Sequence, residues 1–277
     1  MDFYPIELGK EKKITIIGGL NVLENVDEAI EIGMEFKKAC NRNNISYIFK
    51  ASFDKANRSS FDSYRGPGLK QGLKMLKEIK NVLKVPIITD VHETNQVSKA
   101  SEICDMLQLP AFLARQTDLI RALSISGRPI NIKKPQFISP DQIKFIVEKF
   151  SKFGCEEVVI CERGSMYGYN QQIVDLVGIE IIKEQTNKPI CVDITHSLQF
   201  REKGGSSSNG RRRYALKLAK AVTALSIDAI FIEAHKNPDF ANCDGPSAIP
   251  LNVISEFVDQ ICQIDSLVKN QPLCKIN

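Results

Sequence analysis

The 277 residues include three histidines, and each lies at the end of a short apolar run: His92 after VPIITDV, His196 after PICVDIT and His235 after DAIFIEA. Cations and hydrogen-bonding groups gather at the ends of similar runs. IFKASFDKANRSS supplies Lys50, Ser52 and Lys55, PINIKKP supplies Lys133 and Lys134, and EVVICERG supplies Arg163. Asn21, Asp90, Gln108, Asp193 and Glu233 occupy matching places. Lysine and arginine brought to one level with imidazoles and carboxylates would attract and orient a substrate carrying several phosphates or carboxylates. Neither a P-loop nor a G-x-G-x-x-G fingerprint is present, so a nucleotide is not the obvious anion. His196, Glu233 and Asp244 also form a partial ligand set for a divalent transition metal. Taken singly, each residue has a plainer reading: a lysine at a strand end is usually solvated, and Asp90 or Asp193 could serve only to accept backbone hydrogen bonds. Their joint occurrence favours a site.

The elements that must bring them together are legible as strands and helices. KITIIGG, SYIFKAS, VPIITDVH, DMLQLPA, PINIKKP, EVVICERG, KPICVDITH and DAIFIEAH are nearly continuous in apolar residues, as strands buried on both faces should be. Helical patterns separate them. SPDQIKFIVEKF has Ser139 as N-cap, Pro140 at the first helical position, and Ile143, Ile146, Val147 and Phe150 on one face. LKQGLKMLKEIKNVL aligns Leu69, Leu73, Leu76 and Lys80, while TDLIRALSISG is capped by Thr117 and stops at Gly127. Eight strands alternating with about eight helices predict an α/β fold, a single (β/α)8 barrel over residues 1–277 with a short N-terminal extension, rather than a doubly wound sheet. In a barrel all strand C-termini open on one face, so the chemistry-bearing residues would share one rim. REKGGSSSNGRRR, after the seventh strand, has little to pack and reads either as a lid or as a disordered surface loop.

Composition sets outer bounds. With 43% hydrophobic and 25% charged residues the chain can bury a large core. No apolar stretch approaches the roughly 18 residues of a membrane helix, and the N-terminus lacks a signal-peptide pattern, which together predict a cytoplasmic protein with no membrane partner. Eight cysteines are scattered without a C-x-x-C pair, so buried free thiols in a reducing compartment are expected in place of zinc or redox sites. A net charge of +4, dispersed except at Arg211 to Arg213, argues against nucleic acid.

Specific wording narrows the function. GGLNVLE from Gly18, FKASFDKANRSS from Phe49, YRGPGL from Tyr64, TDVHE from Thr89, QLPAFLARQTDL from Gln108, NIKKPQFISP from Asn131, and IEAHKNP followed by CDGPSA occur in this order. Together they resemble the 3-deoxy-manno-octulosonate 8-phosphate synthase family. The resemblance implies a (β/α)8 barrel, a homotetramer, and condensation of phosphoenolpyruvate with arabinose 5-phosphate for the lipopolysaccharide core. It matches Lys50, Ser52, Lys55, Ala111, Lys133 and Arg163 to positions that hold phosphoenolpyruvate. Asn57, Arg58 and Ser59 match the grip on the sugar phosphate, with Arg58 and Ser59 reaching in from a neighbouring subunit. Asp90, His92, Gln108 and Glu233 complete the expected substrate-binding set, and Asn21, Lys55, His196 and Asp244 the catalytic one.

The same family has a metal-dependent branch, in which a cysteine stands where this chain has Asn21. An amide oxygen is a weak ligand beside a thiolate, so no metal and no cofactor are expected here, and CDGPS from Cys243 resembles the metal-free branch. Two other readings stay open: a deoxyheptulosonate phosphate synthase using erythrose 4-phosphate, and a barrel that binds sugar phosphates without turnover.

Overall fold

A computed structural model describes residues 4–6, 8–9, 12–58, 60–166, 171–200, 209–271 and 274. Eight parallel strands alternate with eight helices. They run β1 (Thr15–Val22), α1 (Val26–Asn43), β2 (Tyr47–Ser52), α2 (Gly68–Leu83), β3 (Ile87–Asp90), α3 (Thr94–Ser101), β4 (Met106–Leu109), α4 (Thr117–Ser124), β5 (Ile130–Lys133), α5 (Ile143–Lys152), β6 (Val158–Glu162), α6 (Leu176–Thr186), β7 (Ile190–Asp193), α7 (Ala215–Thr223), β8 (Ala229–His235) and α8 (Ile254–Lys269). Each strand pairs with its sequence neighbours, and β8 closes on β1 in register Ile17 to Phe231 and Gly19 to Glu233, so the expected (β/α)8 barrel is present.

Strand parity divides the core. Ile17, Ile48, Ile88, Met106, Val159, Cys161, Cys191, Ala229 and Phe231 fill the barrel interior, while the alternate residues pack under the helices. Gly19 is required by close approach: a Cβ there would sit 2.0 Å from the Lys50 carbonyl oxygen on the neighbouring strand. Of the cysteines, Cys262 is half-buried and Cys274 exposed, and the other six are buried.

Helix limits differ in detail from the sequence pattern. Gln116, not Thr117, occupies the cap of α4, and the helix ends at Ser124, with Gly127 beyond it in a left-handed turn. Ser139 does precede a helical turn, but a 3-10 turn of Pro140–Gln142 intervenes before α5, and the Ser139 side chain forms no capping bond. Residues 201–208 of the expected lid lie outside the described residues; Asn209–Gly210 pairs antiparallel with Gln199–Phe200.

At the N-terminal end of the barrel, buried carboxylates hold the chain together. Asp105 Oδ1 accepts from the Tyr4 backbone N–H at 2.7 Å and from Lys80 Nζ at 2.9 Å, and its Oδ2 accepts from Ile87 N–H at 2.8 Å. Lys80, which the helical pattern places on the apolar face of α2, is therefore buried because it meets a counterion. Removing one member of such a pair leaves a charge uncompensated, so Lys80→Met should cost about 3–5 kcal/mol in urea unfolding.

Candidate active site

The C-terminal rim encloses a cavity of about 640 Å³. Twelve of the expected site residues line it: Lys50, Lys55, Asn57, Arg58, Asp90, His92, Gln108, Ala111, Lys133, Arg163, His196 and Asp244. Asn21, Ser52 and Glu233 are buried and bonded to these residues without lining the cavity. Ser59 lies outside the described residues. The segment after β2 brings Arg58 to the cavity of its own chain, where Nη1 donates to Cys243 Sγ.

Lys50 lies at the end of β2 and points into the barrel. Its Nζ donates to Ser52 Oγ at 2.8 Å, to Glu233 Oε1 at 3.2 Å and to the Asn21 carbonyl at 3.3 Å, and it is 3.7 Å from Asp90 Oδ1. Burial and the nearby Lys55 lower its pKa, while Glu233 and Asp90 oppose them. For Lys55, burial also works against the charge, but Asp90 and Glu233 outweigh it and raise the pKa. Asp90 is the reciprocal case: burial alone would raise its pKa, and Lys50, Lys55 and the bond from His92 hold it well below the usual carboxylate range. His92 Nε2 lies 3.1 Å from Asp90 Oδ2.

A second charged group forms where β5 and β7 open. Lys133 Nζ donates to Asp193 Oδ2 at 2.7 Å and sits 3.2 Å above the centre of the Phe231 ring, a cation–π contact. Asp193 also accepts from the backbone N–H groups of Thr195 at 3.0 Å and His196 at 2.8 Å. Burial opposes its ionisation, but His196 and Lys133 carry the pKa well below the ordinary value. Nδ1 of His196 is 2.8 Å from Asp193 Oδ2, an acceptor that keeps the proton on Nδ1. Nε2 is thereby turned toward Glu233 Oε2 at 3.5 Å and Asp244 Oδ2 at 3.9 Å.

Between those two carboxylates lies the amide of Asn21. Its Nδ2 donates to Glu233 Oε2 at 2.6 Å and to Asp244 Oδ2 at 3.1 Å. The partial ligand set of His196, Glu233 and Asp244 is thus brought together, with two N–H donors of a neutral side chain bridging its carboxylates.

Not every strand-end residue belongs to the cavity. His235 lies on the α1 side of the rim, where Nδ1 accepts from Asn237 N–H at 3.0 Å and Nε2 is 3.1 Å from Glu28 Oε1. Lys134, one residue past Lys133, is turned away by strand alternation. Conversely, Gln136, Gln171, Gln172, Gln199, Phe112 and Met166 line the cavity although sequence reasoning passed over them. These are uncharged residues outside the eight barrel strands and their helices. Gln136, three residues beyond Lys133, could have been found by its place shortly after a strand end, but Gln171 and Gln172, nine and ten residues past β6, carry no such signal.

Comparison with known proteins extends this description. The family model described as the DAHP synthetase I family matches residues 3–270. The 2-dehydro-3-deoxyphosphooctonate aldolase of Parasynechococcus marenigrum is 48% identical over 273 residues, spanning 98% of this chain and 96% of its own. Proteins of the same name from Chromobacterium violaceum and Vibrio cholerae are each 49% identical over 266 residues, spanning 96% of this chain and 94% of theirs.

The depressed carboxylates set an acid limit. Asp90, Asp193 and Glu233 hold pKa values below their ordinary ones when folded, and return to about 4 when unfolded. The stability they contribute is complete above that value and is lost as pH falls through the folded values. The urea midpoint should therefore hold down to about pH 5 and then decline, and Asp193→Asn should lower it at neutral pH while flattening the decline below about pH 4. An equally steep decline in the variant would refute the assignment.

Proposed function

We propose that this chain, which belongs to the DAHP synthetase I family, condenses phosphoenolpyruvate with D-arabinose 5-phosphate and water, giving 3-deoxy-D-manno-octulosonate 8-phosphate and inorganic phosphate for the lipopolysaccharide core. The observation that carries this reading is a cavity ringed by Lys55, Lys133, Arg163 and Arg58, in a chain whose full-length relatives bear the aldolase name. Two phosphorylated substrates must lie within bonding distance there, and without countercharges their repulsion in a partly dry cleft would cost several kcal/mol.

In this reading Lys50, Ser52, Lys55, Gln108, Ala111, Lys133 and Arg163 hold phosphoenolpyruvate, while Asn57, Arg58 and Ser59 grip the sugar phosphate. The enol π pair forms the new bond from C3 to the aldehyde carbon, and the aldehyde oxygen takes a proton. Water adds at C2 and gives up a proton. The resulting tetrahedral centre then collapses to the ketone by breaking its bond to the phosphate oxygen. Asp193 orients His196, and His196, Asn21 and Asp244 around Glu233 organise the water or the aldehyde. Asp90, hydrogen-bonded to His92, and Glu233 favour the charged forms of Lys50 and Lys55. Most of the acceleration comes from positioning and from fixed charge.

Asn21 does not fit a resident transition metal, because its Nδ2 donates to the two carboxylates that a cation would bridge. We therefore read the enzyme as metal-independent, with no cofactor. A homotetramer in the cytoplasm completes the reading. Exposed Phe112, Phe137 and Met166 near the rim support association, and the free cysteines suit a reducing compartment. No helix among the described residues is long and apolar enough to cross a membrane.

The direct test is phosphate release from phosphoenolpyruvate in strong chelator, with arabinose 5-phosphate or erythrose 4-phosphate. Turnover with the five-carbon sugar alone is expected. Turnover with erythrose 4-phosphate would reassign the aldehyde, and silence until a divalent metal is added would refute metal independence. Asn21→Ala, which leaves Glu233 and Asp244 facing each other without their donor, should lower kcat about 100-fold with little change in the KM for phosphoenolpyruvate.

A further inference from the structure

Lys134 and Glu162 adjoin the cavity cations without reaching the cavity, and they are 0% and 1% exposed. Lys134 Nζ lies 3.3 Å from Glu162 Oε2 and donates to Ser165 Oγ at 2.9 Å, with the carbonyls of Pro135 and Ile138 at 3.3 and 3.5 Å. The other carboxylate oxygen, Glu162 Oε1, accepts the Gly164 N–H at 2.5 Å. Gly164 has φ +89°, and a Cβ there would meet Gln172 Cβ at 2.8 Å, so the turn admits little else. Further along, Ser165 exchanges backbone hydrogen bonds with Ile173 at 2.8 and 3.0 Å, and Met166 N–H donates to the Gln136 carbonyl at 2.9 Å. The loops leaving β5 and β6 are thus fastened to each other through one buried charge pair. Lys133 immediately precedes Lys134, and Arg163 lies between Glu162 and Gly164.

We propose that the Lys134–Glu162 pair, together with Ser165, is a positioning device that fixes Arg163 relative to Lys133, so that both cations meet one anion, phosphoenolpyruvate in the functional reading on which this inference rests. A buried ion pair adds little net stability over a well-packed apolar pair, but its hydrogen bonds have direction and define a position. An Arg163 side chain anchored on one side by Gln172 Oε1, at 2.9 Å, depends on its backbone for the rest of its aim. Burial raises the Glu162 pKa above the usual carboxylate value, and Lys134 and the Gly164 N–H act against that rise without cancelling it.

Two variants test this. Lys134→Met/Glu162→Leu removes both charges at similar volume, and Ser165→Ala removes one hydroxyl. Each is read by calorimetric binding of phosphoenolpyruvate and by the KM for each substrate. The double variant should unfold cooperatively, with affinity for phosphoenolpyruvate weakened about 10–100-fold and the KM for arabinose 5-phosphate within about 3-fold of the unmodified protein. Ser165→Ala should shift the same constants in the same direction by a smaller factor. A folded double variant that binds phosphoenolpyruvate as tightly as the unmodified protein overturns the proposal, as does equal weakening toward both substrates. If the double variant fails to fold, the two KM values of Ser165→Ala decide. Absence of turnover in the unmodified protein would refute the functional reading instead, and phosphoenolpyruvate binding to the variants would still decide the role of the pair.

Discussion

Lysines buried with little water around them constrain everything else at the mouth of this barrel. Lys50 and Lys133 are 1% and 4% exposed, and both sit over the ring of Phe231. A buried ammonium keeps its charge only if something opposite is fixed nearby. Asp90, Glu233 and Asp193 meet that need, and each is placed by a different strand end. The carboxylates need support in turn, which the backbone N–H groups of Thr195 and His196 give to Asp193. The cavity is therefore a balanced lattice of charge before any substrate enters, and an arriving phosphate meets dipoles and cations already oriented.

Asn21 extends the same balance without adding to it. Glu233 and Asp244 approach one side-chain amide, whose hydrogens satisfy one oxygen of each. The amide does not titrate and carries no net charge, so this corner of the site stays anionic and faces the Nε2 of His196 across a short gap. A metal in the same place would reverse the sign of the local field.

The barrel and most of its rim were legible in the sequence because both rest on strong signals. Runs such as KPICVDITH read as doubly buried strands, and most of the polar residues that end the runs land on a common face. Finer placement depends on information that the pattern lacks. Lys133 and Lys134 are equivalent as text, yet strand alternation sends one to the cavity and the other beneath a loop. His235 ends its strand and His92 and His196 follow theirs by two and three residues, but Glu28 in the first turn of α1 draws His235 away from the cavity. Gln136, Gln171, Gln172 and Gln199 carry no charge and follow no periodicity, so only the folded chain reveals them.

Closure of β8 on β1 bears on how such a molecule comes into being. Gly19 is registered opposite Glu233, and the hydrogen bonds of Asn21 span 212 and 223 residues of chain. During synthesis from the N-terminus, the first strand must wait for nearly the whole polypeptide before it finds its last neighbour. Contacts this distant in sequence are slow to form and leave strand edges exposed meanwhile. Completion of the barrel and assembly of the Asn21 corner are consequently one event, so a nascent or truncated chain that has not closed lacks that corner altogether.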